Sequence, residues 1–306
     1  MRPTVRKLRA RPTRAVPTVA LLSALTLVSA CSSAEPPQRL APSDGFTVDV
    51  VPGLTYAETD GQALSADVCL PREATGTRPA LLVLHSGGFT SGSRDDDATR
   101  ALCEWGAREG YVGVAIDYRL APQHIYPAQV DDVQNAVTWL REPAQVGRFK
   151  LDPARIGALG SSAGAVLALT AGARGEGARD EGSRLAAVVS LSGVADLRSS
   201  ALALGDPSPE AQQLVSTYLG CTDLQNCPAG EEASAITEVD PTDPAMMLVN
   251  GTDELVPAEQ AEEMDKKLGE VGIAHQLILV PGDRHGVPLM TSDVRVDAAE
   301  FLKEHL

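Results

Sequence analysis

Gly160-Ser161-Ser162-Ala163-Gly164 is where residue types and spacing first suggest chemistry in this chain of 306 residues. Glycines two places before and after Ser162 suit a sharp turn from strand into helix. Such a turn presents one serine hydroxyl at its tip, with helix N-terminal N–H groups behind it. Ser161 is then a neighbour in the turn and not the nucleophile. A serine hydroxyl attacks only when a base takes its proton and a third group orients that base. His285, in Pro281-Gly282-Asp283-Arg284-His285-Gly286, is the candidate base. Asp253, in Asn250-Gly251-Thr252-Asp253-Glu254, is the candidate acid. Two other carboxylates compete for that role. Asp283 ranks second, because from two residues away it reaches back under the imidazole with difficulty. Glu254 ranks third and is expected to face solvent.

His85-Ser86-Gly87-Gly88-Phe89 supplies the fourth part. Without Cβ atoms, Gly87 and Gly88 let backbone N–H groups approach a tetrahedral oxyanion, and the N–H of Ala163 is the other expected donor. His85 reads as a residue that braces this loop, not as a second base.

The elements that must position these residues are legible as alternating apolar runs and helical patterns from about residue 79 onward, the mark of βαβ units and a mostly parallel sheet. Strands are expected at residues 80–84, 111–117, 156–159, 185–191, 245–249 and 276–280. Helices are expected at 95–109, 127–141, 163–173, 258–268 and 294–306. Segments 46–56 and 63–69 read as antiparallel strands leading into the sheet. The loops carrying Ser162, Asp253 and His285 each follow a strand, so a parallel sheet delivers all three to one edge. Residues 195–234 are irregular and hold two close cysteines, which predicts a small cap inserted over the site.

The chain resembles the hormone-sensitive-lipase-like branch of α/β-hydrolase esterases and the related feruloyl esterase-like group, from about residue 60 to its end. Asp117-Tyr118-Arg119-Leu120-Ala121-Pro122 with Tyr126-Pro127-Ala128 is similar to that branch's D-Y-R-L-A-P…[FY]-P-A signature. The Ser162 elbow, the 250–257 acid loop and the 282–286 histidine loop match in the same order. The resemblance implies an α/β-hydrolase fold: a mostly parallel eight-stranded sheet flanked by helices. It also implies the order Ser162, Asp253, His285 and hydrolysis of small carboxylic esters through an acyl-enzyme. Two departures stand out. Ser86 occupies the place of the first glycine in that branch's H-G-G-G loop, and its long N-terminal helical cap has no counterpart here.

The opening residues have another character. Arg2, Arg6, Lys7, Arg9, Arg11 and Arg14 precede a short apolar run that ends in small residues directly before Cys31. This layout predicts a lipoprotein signal over residues 1–30, with Cys31 the lipid-bearing residue of an exported, membrane-anchored protein. Residues 31–44 read as a tether, and 45–306 as one hydrolase domain. Six of the 26 basic residues and none of the 41 acidic ones lie in the leader, so the remainder carries 20 against 41, a net charge of −21. That surface disfavours nucleic acid.

Four further cysteines in an exported chain suggest disulfides. Cys221 pairs with Cys227 by nearness, and Cys69 with Cys103 by elimination. No Cys/His cluster suggests a metal, and no cofactor is expected. A small ester is the expected partner besides the membrane. Two other readings stay open: a retired hydrolase scaffold that binds at the surface, and a hydrolase of peptide or cell-wall acyl bonds.

Overall fold

The computed structural model describes residues 4–7, 48–71, 76–175 and 177–306. Strands β1 (Thr4–Lys7), β2 (Val48–Thr59), β3 (Gln62–Pro71), β4 (Arg78–Leu84), β5 (Val112–Ile116), β6 (Leu151–Ser161), β7 (Ala187–Leu191), β8 (Ala245–Gly251) and β9 (His275–Val280) form one sheet in the order β1-β9-β8-β7-β6-β4-β5-β3-β2. From β5 through β9 to β1 every neighbouring pair is parallel. The β2–β3 hairpin is antiparallel and joins β5 antiparallel. Eight strands from Val48 onward make the expected sheet. The ninth, β1, falls in the segment read as a leader and pairs its backbone with β9. Cys31 and the expected tether lie outside the described residues.

Helices α1 (Asp97–Arg108), α2 (Ala128–Arg141), α3 (Pro143–Phe149), α4 (Ala163–Ala173), α5 (Pro209–Leu219), α6 (Ala229–Glu232), α7 (Ala235–Glu238), α8 (Ala258–Val271) and α9 (Ser292–His305) complete the chain. Parallel strands covered on both faces have no polar side to show, which is why β4, β5, β7 and β8 read as mostly apolar runs without a polar alternation. Along β4 the side chains alternate between two cores. Leu82 and Leu84 pack with α2, α4 and α8, whereas Leu81 and Val83 pack with α1 and α9. The disulfide Cys69–Cys103 fastens α1 to β3 on the second face. Helix α3 is short and was not legible in the sequence.

Helix α4 is buried along its whole length. Its run of Ala, Gly, Leu and Val is apolar all round, as a helix must be when covered on every side. That burial fixes its N-terminus, and with it the nucleophile elbow, against the centre of the sheet.

Residues 195–234, where a cap is expected, hold α5 and the short α6 between β7 and β8. Helix α5 starts at Ser208, whose hydroxyl accepts the Ala211 N–H at 3.2 Å, and stops at Gly220 in a left-handed conformation. The disulfide Cys221–Cys227 closes the loop that follows. Gln260 of α8 holds the entry to the insertion. Its Oε1 accepts the N–H groups of Ala195 (3.2 Å) and Asp196 (3.0 Å), and its Nε2 donates to the Ala201 carbonyl at 3.1 Å. Ser234 holds the exit, accepting the Leu197 N–H at 2.7 Å and donating to the Gly230 carbonyl at 2.6 Å. Buried polar side chains that satisfy loop backbone in this way let an irregular segment pack against the core.

Candidate active site

Ser162 sits between β6 and α4 with φ 54° and ψ −117°, a conformation that stores about 1–3 kcal/mol of strain in a residue with a side chain. The turn holds because its surroundings dictate it. The Ser162 N–H donates to the Leu191 carbonyl of β7 at 2.8 Å, and its own carbonyl takes the first N–H groups of α4, from Ala165 and Val166. At Gly164 a Cβ would lie 2.3 Å from the Leu84 carbonyl oxygen, so only glycine lets α4 approach the end of β4.

His285 Nε2 lies 2.7 Å from Ser162 Oγ, so the imidazole stands where it can take the hydroxyl proton. The ring's other nitrogen, Nδ1, meets Glu254 Oε2. This corrects the expected acid: the carboxylate behind the histidine belongs to Glu254 and not to Asp253. The Glu254 carboxylate is fully enclosed, and Oε1 accepts from Ser192 Oγ (2.7 Å), Gly251 N–H (2.8 Å) and Asn250 Nδ2 (3.2 Å). Asp253 is exposed, and its carboxylate takes the Thr252 hydroxyl at 2.7 Å. The physical reason is local. The Asp253 N–H is drawn to the Gly282 carbonyl at 3.1 Å, which leaves its side chain facing outward in the turn after β8. The next residue points inward, and its extra methylene spans the gap to the imidazole. Asp283 is exposed as well.

Gly88, Ala163 and Ser162 line one cavity, with Gly87 adjoining it. Gly87 has φ 127°, and a Cβ there would lie 2.0 Å from the Ser91 carbonyl oxygen, so this turn admits only glycine. The Ala163 N–H is in the first turn of α4, where helix geometry leaves it without an intrahelical acceptor. The dipole of the helix favours negative charge at the same place. Gly88 and Ala163, two of the three expected oxyanion donors, line the same cavity as the nucleophile.

Ser86 turns away from the nucleophile. Its hydroxyl donates to Ser161 Oγ at 2.7 Å and thereby ties the oxyanion loop to the elbow. His85 is buried, stacked on Tyr118 with ring centroids 3.9 Å apart, and its carbonyl accepts the Tyr118 hydroxyl at 2.9 Å. Burial holds its imidazole below the usual histidine range, so it stays neutral and serves as the expected brace. Arg119, from the D-Y-R-L-A-P segment, pairs with the buried Asp132 at 2.8 Å and with Asp60 at 2.7 Å. The pair anchors the loop that carries Tyr126 beneath the insertion.

The cavity is narrow, about 60 Å³, and its walls are apolar: Val166 and Val194 from the core side, Leu202, Leu204, Leu214 and Val215 from the insertion, Leu255 and Val256 from the acid loop. Leu214 reaches in until its Cδ2 lies 2.7 Å from where a Cβ on Gly88 would stand. Phe89, which follows, stacks on the buried Tyr218 of α5 at 3.9 Å. Among the described residues no group of His, Cys, Asp and Glu is arranged to hold a metal ion.

The family model BD-FAE matches residues 66–268, which covers the oxyanion loop, the elbow and the acid loop. The chain belongs to the BD-FAE family. It is similar to the ethyl acetate hydrolase of Pseudomonas putida, at 28% identity over 286 residues, 84% of each protein. It is also similar to the arylacetamide deacetylase of Bos taurus, at 32% identity over 126 residues, 40% of this chain. That match spans about a third of the deacetylase's own length (32%). Among solved structures, a truncated carbohydrate esterase from gut microbiota superposes with a TM-score of 0.75 at 21% identity, over 86% of this chain and 98% of that one. That likeness concerns the fold, and it is the α/β-hydrolase fold of this BD-FAE member.

Sequence reasoning ranked Glu254 only third for the acid and expected it to face solvent, and it missed Ser192 and Asn250 as the groups that hold the carboxylate. The signal for Glu254 was the tandem Asp253-Glu254, in which either residue could face inward. For Ser192 the only signal was its place at the C-terminal end of β7.

Proposed function

We propose that this chain is a serine carboxylesterase acting on small carboxylic esters, exported and held to the membrane by a lipid on Cys31. The observation that carries the activity is the relay Ser162 Oγ to His285 Nε2 and His285 Nδ1 to Glu254, opening onto a narrow apolar cavity. Ser162 Oγ attacks the ester carbonyl carbon while His285 Nε2 accepts its proton. The carbonyl oxygen takes the negative charge against the N–H groups of Gly87, Gly88 and Ala163. The intermediate collapses, His285 returns the proton to the departing alkoxide oxygen, and the alcohol leaves an acyl-Ser162. Water, deprotonated by the same histidine, then releases the acid. Glu254 balances the imidazolium that forms in each half-reaction.

The narrow cavity and its leucine and valine walls favour a short acyl group. The ethyl acetate hydrolase named above supports the same reading. Ser162→Ala tests it: hydrolysis of short p-nitrophenyl esters falls by about 10³-fold or more while the circular dichroism spectrum is unchanged. An unchanged rate would sink the assignment. Labelling by a fluorophosphonate probe should likewise vanish in that variant.

The anchor rests on the basic leader, the apolar run and the small residues directly before Cys31. Among the described residues no helix is long and apolar enough to cross a membrane. Cys31→Ala is expected to move the protein from the membrane fraction to the soluble one. A wholly soluble wild type refutes the anchor.

A further inference from the structure

Ser192 follows β7, is fully buried, and has φ 61°. Its backbone is held from the sheet side, since its N–H donates to the Val249 carbonyl of β8 at 2.9 Å. Its hydroxyl makes two contacts that belong to different loops. It donates to Glu254 Oε1 at 2.7 Å, and it accepts the N–H of Gly286, the residue after His285, at 2.8 Å. A hydroxyl has one hydrogen to give. With the Gly286 N–H arriving at its oxygen, that hydrogen is committed to the carboxylate.

The other groups bonded to Oε1, the Gly251 N–H and the Asn250 carboxamide, both come from the acid loop itself. Of these three groups on Oε1, Ser192 is the one whose own polar atom is also hydrogen-bonded to the histidine loop, through the Gly286 N–H. We infer that Ser192 is a positioning residue that couples acid to base, fixing the rotation of the Glu254 carboxylate so that Oε2 faces Nδ1 while holding the backbone of the histidine loop at the matching distance. This rests on the reading of Ser162, His285 and Glu254 as the catalytic relay. The polar groups on Oε1 are neutral, and the ionisable residues flanking Glu254 and His285 in their loops, namely Asp253, Asp283 and Arg284, are exposed. Ser192 thus acts with Gly251 and Asn250 in drawing negative charge to Oε1, and it is the one of the three from outside the acid loop.

The test compares Ser192→Ala with Ser192→Gly in the full-length enzyme, on a short p-nitrophenyl ester across pH. Glycine suits the left-handed backbone, so Ser192→Gly removes the hydroxyl without adding strain and serves if the alanine variant does not fold. Both are expected to lower kcat about ten- to a hundred-fold with KM within about twofold. Losing the donor changes the charge on the oxygen that faces the imidazole, so the pH profile of kcat/KM is expected to differ from that of wild type. A folded Ser192→Gly with wild-type kcat overturns the inference, as does a fall in kcat that leaves the pH profile in place. Ser162→Ala is assayed beside them. If it retains activity the relay itself fails, whereas an inert Ser162→Ala beside a fully active Ser192→Gly removes the positioning role alone.

Discussion

The acid and histidine loops and the insertion over residues 195–234 meet at the same cavity but are built on opposite plans. The loops are short, follow strands, and hold their side chains by hydrogen bonds: Glu254 alone engages four partners, and its carboxylate is closed to solvent. The insertion is long and irregular, and it presents leucines and valines to the cavity. It is fastened at its two ends by Gln260 and Ser234 and closed in its second half by one disulfide. Polar geometry serves the bond-making step, where charge develops and small displacements are costly. Apolar area serves recognition, where shape matters and tolerance is wider. On the proposed reading, the division puts reaction and acyl preference in different segments of this chain.

The sharpest way to break that comparison is at the acid. Glu254→Gln keeps the shape but removes the charge that balances the imidazolium, and is expected to lower kcat about 10²- to 10⁴-fold in a steady-state ester assay. Asp253→Asn, one residue earlier, should stay within about twofold of wild type, as an exposed surface change does. The reverse pattern would restore Asp253 as the acid. A smaller and different effect is expected in the insertion. Leu214→Ala enlarges the cavity and should shift the preference among p-nitrophenyl esters of graded acyl length toward longer chains, by about ten-fold in the ratio of kcat/KM values. An unaltered ranking would mean that the insertion does not meet the acyl chain.

The smallest effect on turnover is expected from replacing Cys221 and Cys227 together with serine. The six-residue separation closes a short loop, worth about 2 kcal/mol in the chain-entropy picture. The melting midpoint should fall by roughly 4–8 °C, while kcat stays within about twofold.

Much of this molecule was legible in its sequence for identifiable reasons. The 80–84 run reads as a strand because a parallel strand buried on both faces has no polar period to obscure it. Ser162 reads as a nucleophile because the elbow demands small neighbours, and the side chain at Gly164 is excluded by the Leu84 carbonyl. The acid was misread because side-chain direction in a turn follows no period. Whether Asp253 or Glu254 faces inward depends on the Asp253 N–H finding the Gly282 carbonyl, a contact between segments 29 residues apart in number. Ser192 had no sequence signal beyond its position, since a lone serine after a strand is common. The insertion was visible as irregularity. Its apolar wall was not, because residues 202, 204, 214 and 215 share no periodic face across a turn and a helix.

Leu214 touches the space that a side chain on Gly88 would fill, so the insertion leans on the oxyanion loop as well as on the cavity. For anyone evolving this scaffold, the consequence is a linkage between substrate scope and catalytic power. Trimming Leu214 is expected to admit a bulkier acid, but it also removes the side chain packed against Gly88 in the proposed oxyanion loop. Broader variants should therefore be slower on the original ester, and second-site changes that refill the gap behind Gly88 are where lost speed should be recovered.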